Sequence, residues 1–173
     1  VVLMAPTGRA AKVAAQRTGL GTSTIHHEIF SAPEEGSSRA TLRLSRHPVG
    51  TVYIIDEASM LDDTSATDAF GRAEGLLRDV LRYAWKTDPA ARFVLVGDPA
   101  QLPPVGRTRS PALAEKYLRE TLNLTVTSVN LTEVRRQALQ SGILRNATRI
   151  RQAMADRQWD VLPPISLGPD VRL

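Results

Sequence analysis

Residues 51–59 read TVYIIDEAS, and they carry the pattern that predicts the fold class. The stretch from Thr51 to Ile55 is apolar and rich in β-branched residues, as expected for a strand that is buried on both faces of a parallel sheet. This strand stops at two carboxylates, Asp56 and Glu57. Because open α/β sheets bind ligands beyond the carboxyl ends of their strands, the stretch predicts an α/β domain with a polar site at this strand end.

Two other apolar segments, residues 1–5 and 93–96, also predict buried strands, and they end on Ala5-Pro6-Thr7 and Gly97-Asp98. Alternating polar and apolar residues predict a further strand over 125–131. Helices are expected over residues 10–17, 25–30 (with a cap at 22–24), 67–86, 112–122 and 141–154. Strands that alternate with helices indicate a mainly parallel sheet flanked by helices. Three strand ends would then bring polar groups to one edge of that sheet.

Composition excludes several classes of protein. The 173 residues are 42% hydrophobic and include no cysteine, which excludes disulfides and thiolate metal sites. No apolar run approaches the roughly 18 residues of a membrane span, and the first residues lack the basic region of a signal peptide. We therefore expect a cytoplasmic protein without a membrane partner.

The net charge of +4 is unevenly distributed. Residues 1–106 hold 11 Lys and Arg against 12 Asp and Glu, whereas residues 107–173 hold 11 against 6. A basic C-terminal third is suited to face phosphate, on a nucleic acid or on a nucleotide. A solvated helix surface rich in arginine would give the same charge pattern.

The paired carboxylates after the central strand suit phosphoryl chemistry. Asp56 could hold Mg²⁺ through water, because Mg²⁺ prefers oxygen ligands and keeps part of its hydration shell. Glu57 could orient and deprotonate a water molecule aimed at a γ-phosphate. The simpler alternative is an acidic helix N-terminus, where carboxylates favour the helix dipole.

A second motif, residues 96–106, reads VGDPAQLPPVG. Proline fixes φ and restricts the loop, so that Gln101 can be held towards a nucleotide. An amide can donate to a phosphoryl oxygen and accept from water. The alternative is a turn rich in Gly and Pro, which explains eleven residues of this composition poorly.

These two segments resemble motifs II and III of the RecD-like group of superfamily 1B helicases. Residues 5–11 resemble motif Ia of that group, and residues 24–26 resemble the short element that follows it. Residues 134–137 and 141–144 resemble motif IV. The order and spacing agree over roughly residues 1–155. The resemblance implies a RecA-like P-loop NTPase domain that uses ATP and Mg²⁺.

The resemblance also implies roles in catalysis. Asp56 would help to hold Mg²⁺, and Glu57 would activate the attacking water. Gln101 would sense the γ-phosphate, with Asp98 supporting its loop. Arg136 would reach the γ-phosphate as an arginine finger does; its neighbour Arg135 fits less well, because the family places Gln directly after its Arg.

Single-stranded DNA is the partner that the resemblance implies. Pro6, Thr7, Gly8 and Arg9 would lie against its backbone, and His26 would contact the same strand. Taken alone, these residues fit a strand-to-helix turn and a helix cap with a surface histidine. Arg135 and Arg136 alone fit a basic surface pair.

The chain departs from the family pattern at its start, because no G-x-x-x-x-G-K-S/T sequence occurs in it. The resemblance places that phosphate-binding loop before residue 1, and a second RecA-like domain after the end. We therefore expect residues 1–155 to be a partial RecA-like domain, incomplete at its N-terminus, and residues 156–173 to be a junction. The chain alone would then be inactive.

Residues 36–50 are expected to form a small hairpin insertion. Leu42 and Leu44 share one face of an alternating segment, and Arg39, Arg43 and Ser45 share the other. In RecD-like helicases a hairpin at this place is a wedge at the duplex junction. The alternative is a polar loop that only connects two core elements.

The sequence thus predicts a fragment of an ATP-dependent DNA helicase that moves 5′-to-3′ on single-stranded DNA, its partner subunits being unknown. A non-catalytic module of the same fold, which binds nucleic acid or nucleotide, is the alternative. A transporter ATPase is a third possibility, against which the QLPPVG run at residues 101–106 argues.

Overall fold

The computed structural model describes residues 1–32, 40–63, 75–131, 142–156 and 163–165. The chain divides into two compact units, Val1–Thr127 and Ser128–Leu173. The sheet and the helices that cover it belong to the first unit.

The first unit contains a four-stranded sheet in which every pair of neighbours is parallel. This arrangement confirms the α/β class and the mainly parallel sheet. The spatial order of the strands is β2-β1-β3-β4. Their bounds are Val2–Ala5 for β1, Thr22–Thr24 for β2, Val52–Ile55 for β3 and Arg92–Leu95 for β4.

Four helices accompany the sheet: α1 Gly8–Thr18, α2 Ile25–Ile29, α3 Leu76–Trp85 and α4 Glu115–Glu120. Short 3₁₀ turns occur at Ala58–Met60 and Pro111–Leu113. Helix α3 begins at Leu76, after Gly75, whose backbone is extended with φ −69° and ψ 163°. The part of the predicted helix at residues 67–74 lies outside the described residues. The helix predicted over 112–122 is interrupted, because Ala114 adopts φ −92° and ψ 95° between the 3₁₀ turn and α4.

The strand register sorts the sheet residues into two faces. Met4, Ile55 and Leu95 are in register and lie in one row. This row belongs to the main core, which α2 and α3 complete with Ile25, Ile29, Leu77 and Val80. Since alternate residues of a strand point to opposite faces, the neighbouring row faces the other side of the sheet.

Aromatic side chains fill the core beside the first half of β3. Tyr53 stacks on Phe93 with ring centroids 5.3 Å apart, and it meets Tyr83 edge-on at 6.2 Å. Trp85 packs edge-on against Phe93 at 5.2 Å, and its indole N–H donates to the Ala91 carbonyl at 2.9 Å. These contacts fix α3 against β3 and β4.

The opposite face is covered unevenly. Helix α1 packs on β1 and β2, where Leu3, Ala11 and Ala14 are buried. Val94 of β4 lies in the same row as Leu3 and is 45% exposed. The prediction that residues 93–96 are buried on both faces was therefore wrong: β4 is the last strand of the described sheet, and one of its faces is open.

Two predicted strands are absent from the described residues. Residues 40–45 make only one isolated antiparallel bridge, between Leu42 and Phe30, so the described part of the 36–50 hairpin is a single extended segment alongside the end of α2. Residues 125–131 form no strand, because no ladder partner lies beside them among the described residues. Leu124 and Val126 nevertheless alternate with exposed residues, and both side chains are partly buried against the core.

The second unit contains α5, Gly142–Ala155, close to the predicted helix at 141–154. Arg149 donates to the Pro164 carbonyl at 3.1 Å. The domain boundary near residue 155 stays a prediction. Across both units, none of the helices among the described residues is long and apolar enough to cross a membrane.

Candidate active site

The carboxyl ends of β1, β3 and β4 are joined by backbone hydrogen bonds. The Asp56 N–H donates to the Met4 carbonyl at 2.9 Å, and the Val96 N–H donates to the Ile55 carbonyl at 2.9 Å. The Ala58 N–H then donates to the Val96 carbonyl at 2.8 Å. The turn that carries the two carboxylates is therefore held against the strands on both sides of it.

Asp56 and Glu57 lie half-buried at this edge, as predicted. Glu57 has a left-handed backbone with φ 55° and ψ 38°, which costs a residue with a side chain about 1 kcal/mol. The Glu57 N–H donates to Asp56 Oδ1 at 3.0 Å. Glu57 makes no side-chain cap to the three-residue 3₁₀ turn that follows. The alternative of an ordinary acidic helix N-terminus therefore has little support.

Gly97 places the end of β4 directly against this turn. A Cβ atom at Gly97 would come within 2.9 Å of the Ser59 nitrogen and 2.9 Å of Leu113 Cδ1. Distances below 3.0 Å are essentially never seen for real Cβ atoms, so only glycine fits without displacement. The 3₁₀ turn that follows the Asp-Glu pair and the start of the Gln101 loop therefore lie close together.

The Gln101 loop is organised by Asp98. Asp98 Oδ1 accepts from the Ala100 N–H at 3.0 Å, and the Asp98 carbonyl accepts from the Gln101 N–H at 3.0 Å. This is a local turn in which an aspartate bonds the backbone two residues on. Gln101 itself is exposed. Asp98 therefore shapes the loop, and the Gln101 amide is accessible to a ligand.

A polar network that no sequence motif indicated fixes the far end of this loop. Arg107 forms an ion pair with Asp63 at 2.7 Å, and Asp63 also accepts from the Tyr117 hydroxyl. Arg78 of α3 donates to the same hydroxyl at 3.2 Å. Burial and the bond to Asp63 raise the pKa of Tyr117. Because these residues lie 39 to 54 positions apart, only the folded chain brings them together.

The predicted nucleic-acid residues also lie at this edge of the sheet. Ala5 and Thr24 are partners in the register of β1 and β2, so the chain leaves the sheet at neighbouring points before Pro6 and before α2. The Thr7 hydroxyl caps α1 by accepting from the Ala10 N–H at 3.2 Å. A Cβ atom at Gly8 would meet nothing within 4 Å.

Arg9 is exposed on the first turn of α1, and the half-buried His26 lies one residue into α2 with its ring 6.0 Å from that of Phe30. The expected motif IV residues, Arg135 and Arg136, lie outside the described residues. No cluster of three or more metal-ligating residues occurs in the described part of the chain. A single carboxylate such as Asp56 nevertheless fits Mg²⁺, which commonly takes one or two carboxylates and keeps several waters.

Comparisons with known proteins bear on the family of the chain. A family model described as AAA domain matches residues 1–162. The ATP-dependent RecD2 DNA helicase of Deinococcus radiodurans is 33% identical to the chain over 147 residues, which make up 85% of the chain. The chain spans 17% of the length of this curated relative. Both findings confirm the resemblance to RecD-like helicases that the sequence motifs indicated.

Proposed function

We propose, from the premise that this chain belongs to the AAA domain family and resembles RecD-like helicases, that it is part of an ATP-dependent DNA helicase. Membership of the family implies nucleotide binding. The direction of movement that we propose is 5′-to-3′ on single-stranded DNA, by resemblance to the RecD-like group. The 173 residues would supply the hydrolytic carboxylates, the γ-phosphate sensor and part of the DNA surface.

The observation that carries this proposal is the backbone of Glu57. A left-handed glutamate at the end of a buried strand is unfavourable, and it persists only where the surrounding structure enforces it. Here the hydrogen bonds from Asp56 and Ala58 to the two flanking strands hold the turn in place. Strained positions of this kind cluster at active sites. We infer that the strain aims the Glu57 carboxylate away from the sheet and towards the attacking water.

The roles that we propose for the other residues come from the resemblance to RecD-like helicases. Asp56 would hold Mg²⁺ through water, and the bound ion would neutralise charge on the β- and γ-phosphates. Gln101 would bond a γ-phosphate oxygen from the rigid Pro-Pro loop. Arg136 is proposed as the arginine finger from resemblance alone.

Coupling between nucleotide and DNA would pass through the sheet edge. The Gln101 loop touches the Asp-Glu turn at Gly97, and that turn is bonded to β1 through Asp56 and Met4. Strand β1 leads directly into Pro6, Thr7 and Gly8. A shift of the loop on loss of the γ-phosphate could therefore reach the proposed DNA surface through three contacts.

The substitution Glu57→Gln in the intact protein tests the proposal. It keeps the size of the side chain and removes the base, so ATP binding should persist while steady-state hydrolysis falls by roughly 10²–10⁴. Nucleotide affinity and DNA-stimulated phosphate release are the two measurements. Turnover at the wild-type rate would show that Glu57 is not the base. An intact wild-type protein that binds nucleotide without hydrolysis would instead favour the non-catalytic module.

A further inference from the structure

The Gln101 loop is attached at both ends to the short segment that follows the Asp-Glu pair. Where the loop begins, the Val96 carbonyl accepts from the Ala58 N–H at 2.8 Å. Where it ends, the Arg107 guanidinium lies 2.7 Å from Asp63 Oδ1. Ala58 directly follows the Asp-Glu pair, and Asp63 lies further along the same segment. The loop that carries the proposed γ-phosphate sensor therefore starts and finishes beside the segment that carries the proposed base.

Between these two attachments the loop is largely exposed. Gln101 is exposed, Leu102 is 85% exposed and Val105 is fully exposed. Pro104 is buried, and its carbonyl accepts from the Arg107 N–H at 3.0 Å. The buried part of the loop is thus bonded to the residue that forms the ion pair. Because the exposed part has little packing of its own, the position of the Gln101 amide depends on how firmly the two ends are held.

Asp63 is the fixed partner of the ion pair. Its side chain is 11% exposed, whereas that of Arg107 is 36% exposed. Asp63 also accepts from the Tyr117 hydroxyl, and Arg78 donates to that hydroxyl at 3.2 Å. Tyr117 belongs to α4 and Arg78 to α3, so two helices fix the place of this carboxylate. Since bonds between arginine and carboxylate are charge-assisted and directional, Asp63 gives the end of the loop a defined position.

The start of the loop is held in a different way, by backbone and by packing. The two 3₁₀ turns, Ala58–Met60 and Pro111–Leu113, pack against each other. The Ser110 hydroxyl donates to the Ala58 carbonyl at 3.4 Å, and Gly97 lies directly against both turns. The end of the loop, in contrast, is held through the charged side chain of Arg107. A substitution at Arg107 should therefore loosen one end of the loop while the fold around the other end remains.

We propose that Arg107, Asp63 and Tyr117 are positioning residues for ATP hydrolysis, which hold Gln101 at a fixed place relative to the Asp-Glu turn. They act through Gln101 and not on the nucleotide. With the end of the loop released, the amide would spend part of its time away from the γ-phosphate, and a misplacement of about 1 Å can cost roughly 10²-fold in rate. The inference rests on the proposed function, because it takes Gln101 as the γ-phosphate sensor.

The test begins with Arg107→Gln in the intact protein, which removes the ion pair and keeps a polar side chain. ATP hydrolysis is measured in a single turnover, with the protein in excess over ATP and single-stranded DNA present, because this rate is separate from product release. It should fall about tenfold. ADP has no γ-phosphate, so the affinity for ADP should stay at the wild-type value. Arg107→Lys keeps the charge and should recover most of the rate.

Combined variants separate positioning from a general structural role. If Arg107 acts through Gln101, then Arg107→Gln together with Gln101→Ala should hydrolyse ATP at the rate of Gln101→Ala alone, whereas independent effects would multiply. Asp63→Asn together with Arg107→Gln should be no slower than the slower single variant, because the two side chains form one interaction. Urea denaturation checks that each variant is folded. If Asp63→Asn unfolds, Tyr117→Phe takes its place, because it removes only one hydroxyl.

The matched control is Arg119→Gln, which breaks an ion pair with Glu115 at 2.9 Å on α4 and should keep the wild-type rate. An unchanged rate in folded Arg107→Gln, an equal fall in the control, or a full further fall in the Gln101→Ala background would each overturn the positioning inference alone. Gln101→Ala at the wild-type rate would also overturn it, while Glu57→Gln still tests the proposed function. A wild-type protein that binds ATP without hydrolysis overturns both.

Discussion

Single backbone positions decide much of the candidate site. The sequence predicted the place of the Asp56 and Glu57 carboxylates, because it follows from the end of an apolar strand; their chemistry stays a prediction. The left-handed backbone of Glu57 could not be predicted, since glycine or asparagine would be the usual residue there. The close approach of Gly97 to Ser59 and Leu113 could not be predicted either, because a Gly-Asp pair after a strand indicates only an ordinary turn.

The substitution Gly97→Ala tests that contact. The new Cβ would lie 2.9 Å from the backbone nitrogen of Ser59, and backbone cannot yield as a flexible side chain can. We expect a loss of about 1–3 kcal/mol in the free energy of unfolding, together with reduced ATP turnover in the intact protein. Urea denaturation and phosphate release measure the two effects. Gly21→Ala is the matched control, because its Cβ would meet nothing within 4 Å; equal behaviour of the two variants would contradict the argument.

Gly8 poses the opposite case, because the fold leaves room for a side chain there. A Cβ at Gly8 would meet nothing within 4 Å, and alanine is favoured over glycine in a helix by up to about 1 kcal/mol. Gly8→Ala should therefore leave thermal stability unchanged or slightly higher. If DNA approaches this backbone closely, its affinity should fall severalfold in the intact protein, as read by fluorescence anisotropy. Undiminished DNA binding would remove Gly8 from the proposed surface.

At the scale of elements, the sequence predicted the strands with a continuous apolar pattern and the helices whose hydrogen bonds are local. Strands β1, β3 and β4 and helices α1 and α5 were found within two residues of their expected bounds. Strand β2 was not predicted, because Thr22–Thr24 is polar and β1 is its strand partner in the described sheet. At residues 125–131 a strand was predicted but is not formed. Alternating polar and apolar residues do not make a strand unless a second strand lies beside them to pair with.

Glu28 links three elements, and its titration should be visible in stability. It joins α2 to α3 through Tyr83 and to the 45–47 segment through His47. Burial raises the pKa of Glu28, but the hydrogen bonds from His47 and Tyr83 outweigh burial and hold this pKa below its ordinary value. The contribution of Glu28 to stability is therefore present above the ordinary pKa of a glutamate and is lost as the pH falls through the folded-state pKa. Unfolding free energies measured from pH 7 to pH 3 should show this loss in the wild type. Glu28→Gln should be less stable at neutral pH and should lack that increment, while Tyr83→Phe should reduce it; parallel profiles for wild type and Glu28→Gln would contradict the assignment.

At the scale of the whole chain, the order of motifs along the sequence carried more information than any one of them. Residues 6–9 and 26 are unremarkable alone, and they became candidates only because they precede the Asp-Glu and Gln101 motifs at the family's spacing. The structure then placed them at neighbouring points of one sheet edge. The Asp63, Tyr117 and Arg107 network could not be foreseen, because it depends on tertiary packing between segments more than 40 residues apart.

The 173-residue chain by itself should show no significant ATPase activity. It contains the proposed base and the proposed sensor, but no G-x-x-x-x-G-K-S/T sequence to hold the β- and γ-phosphates. Steady-state phosphate release by the purified chain, with and without single-stranded DNA, is the measurement. Hydrolysis that rises with added DNA would show that these residues bind and turn over ATP without that loop.

The open side of β4 has a practical consequence for handling the chain in isolation. Its outer edge has no strand beside it in the described part of the molecule, and Val94 and Val96 on its open face are each about 45% exposed. Unpaired backbone groups next to exposed valines form a template for edge-to-edge pairing between copies. Samples of the isolated chain should therefore self-associate as their concentration rises, and a lysine at position 94 is the simplest way to keep them monodisperse.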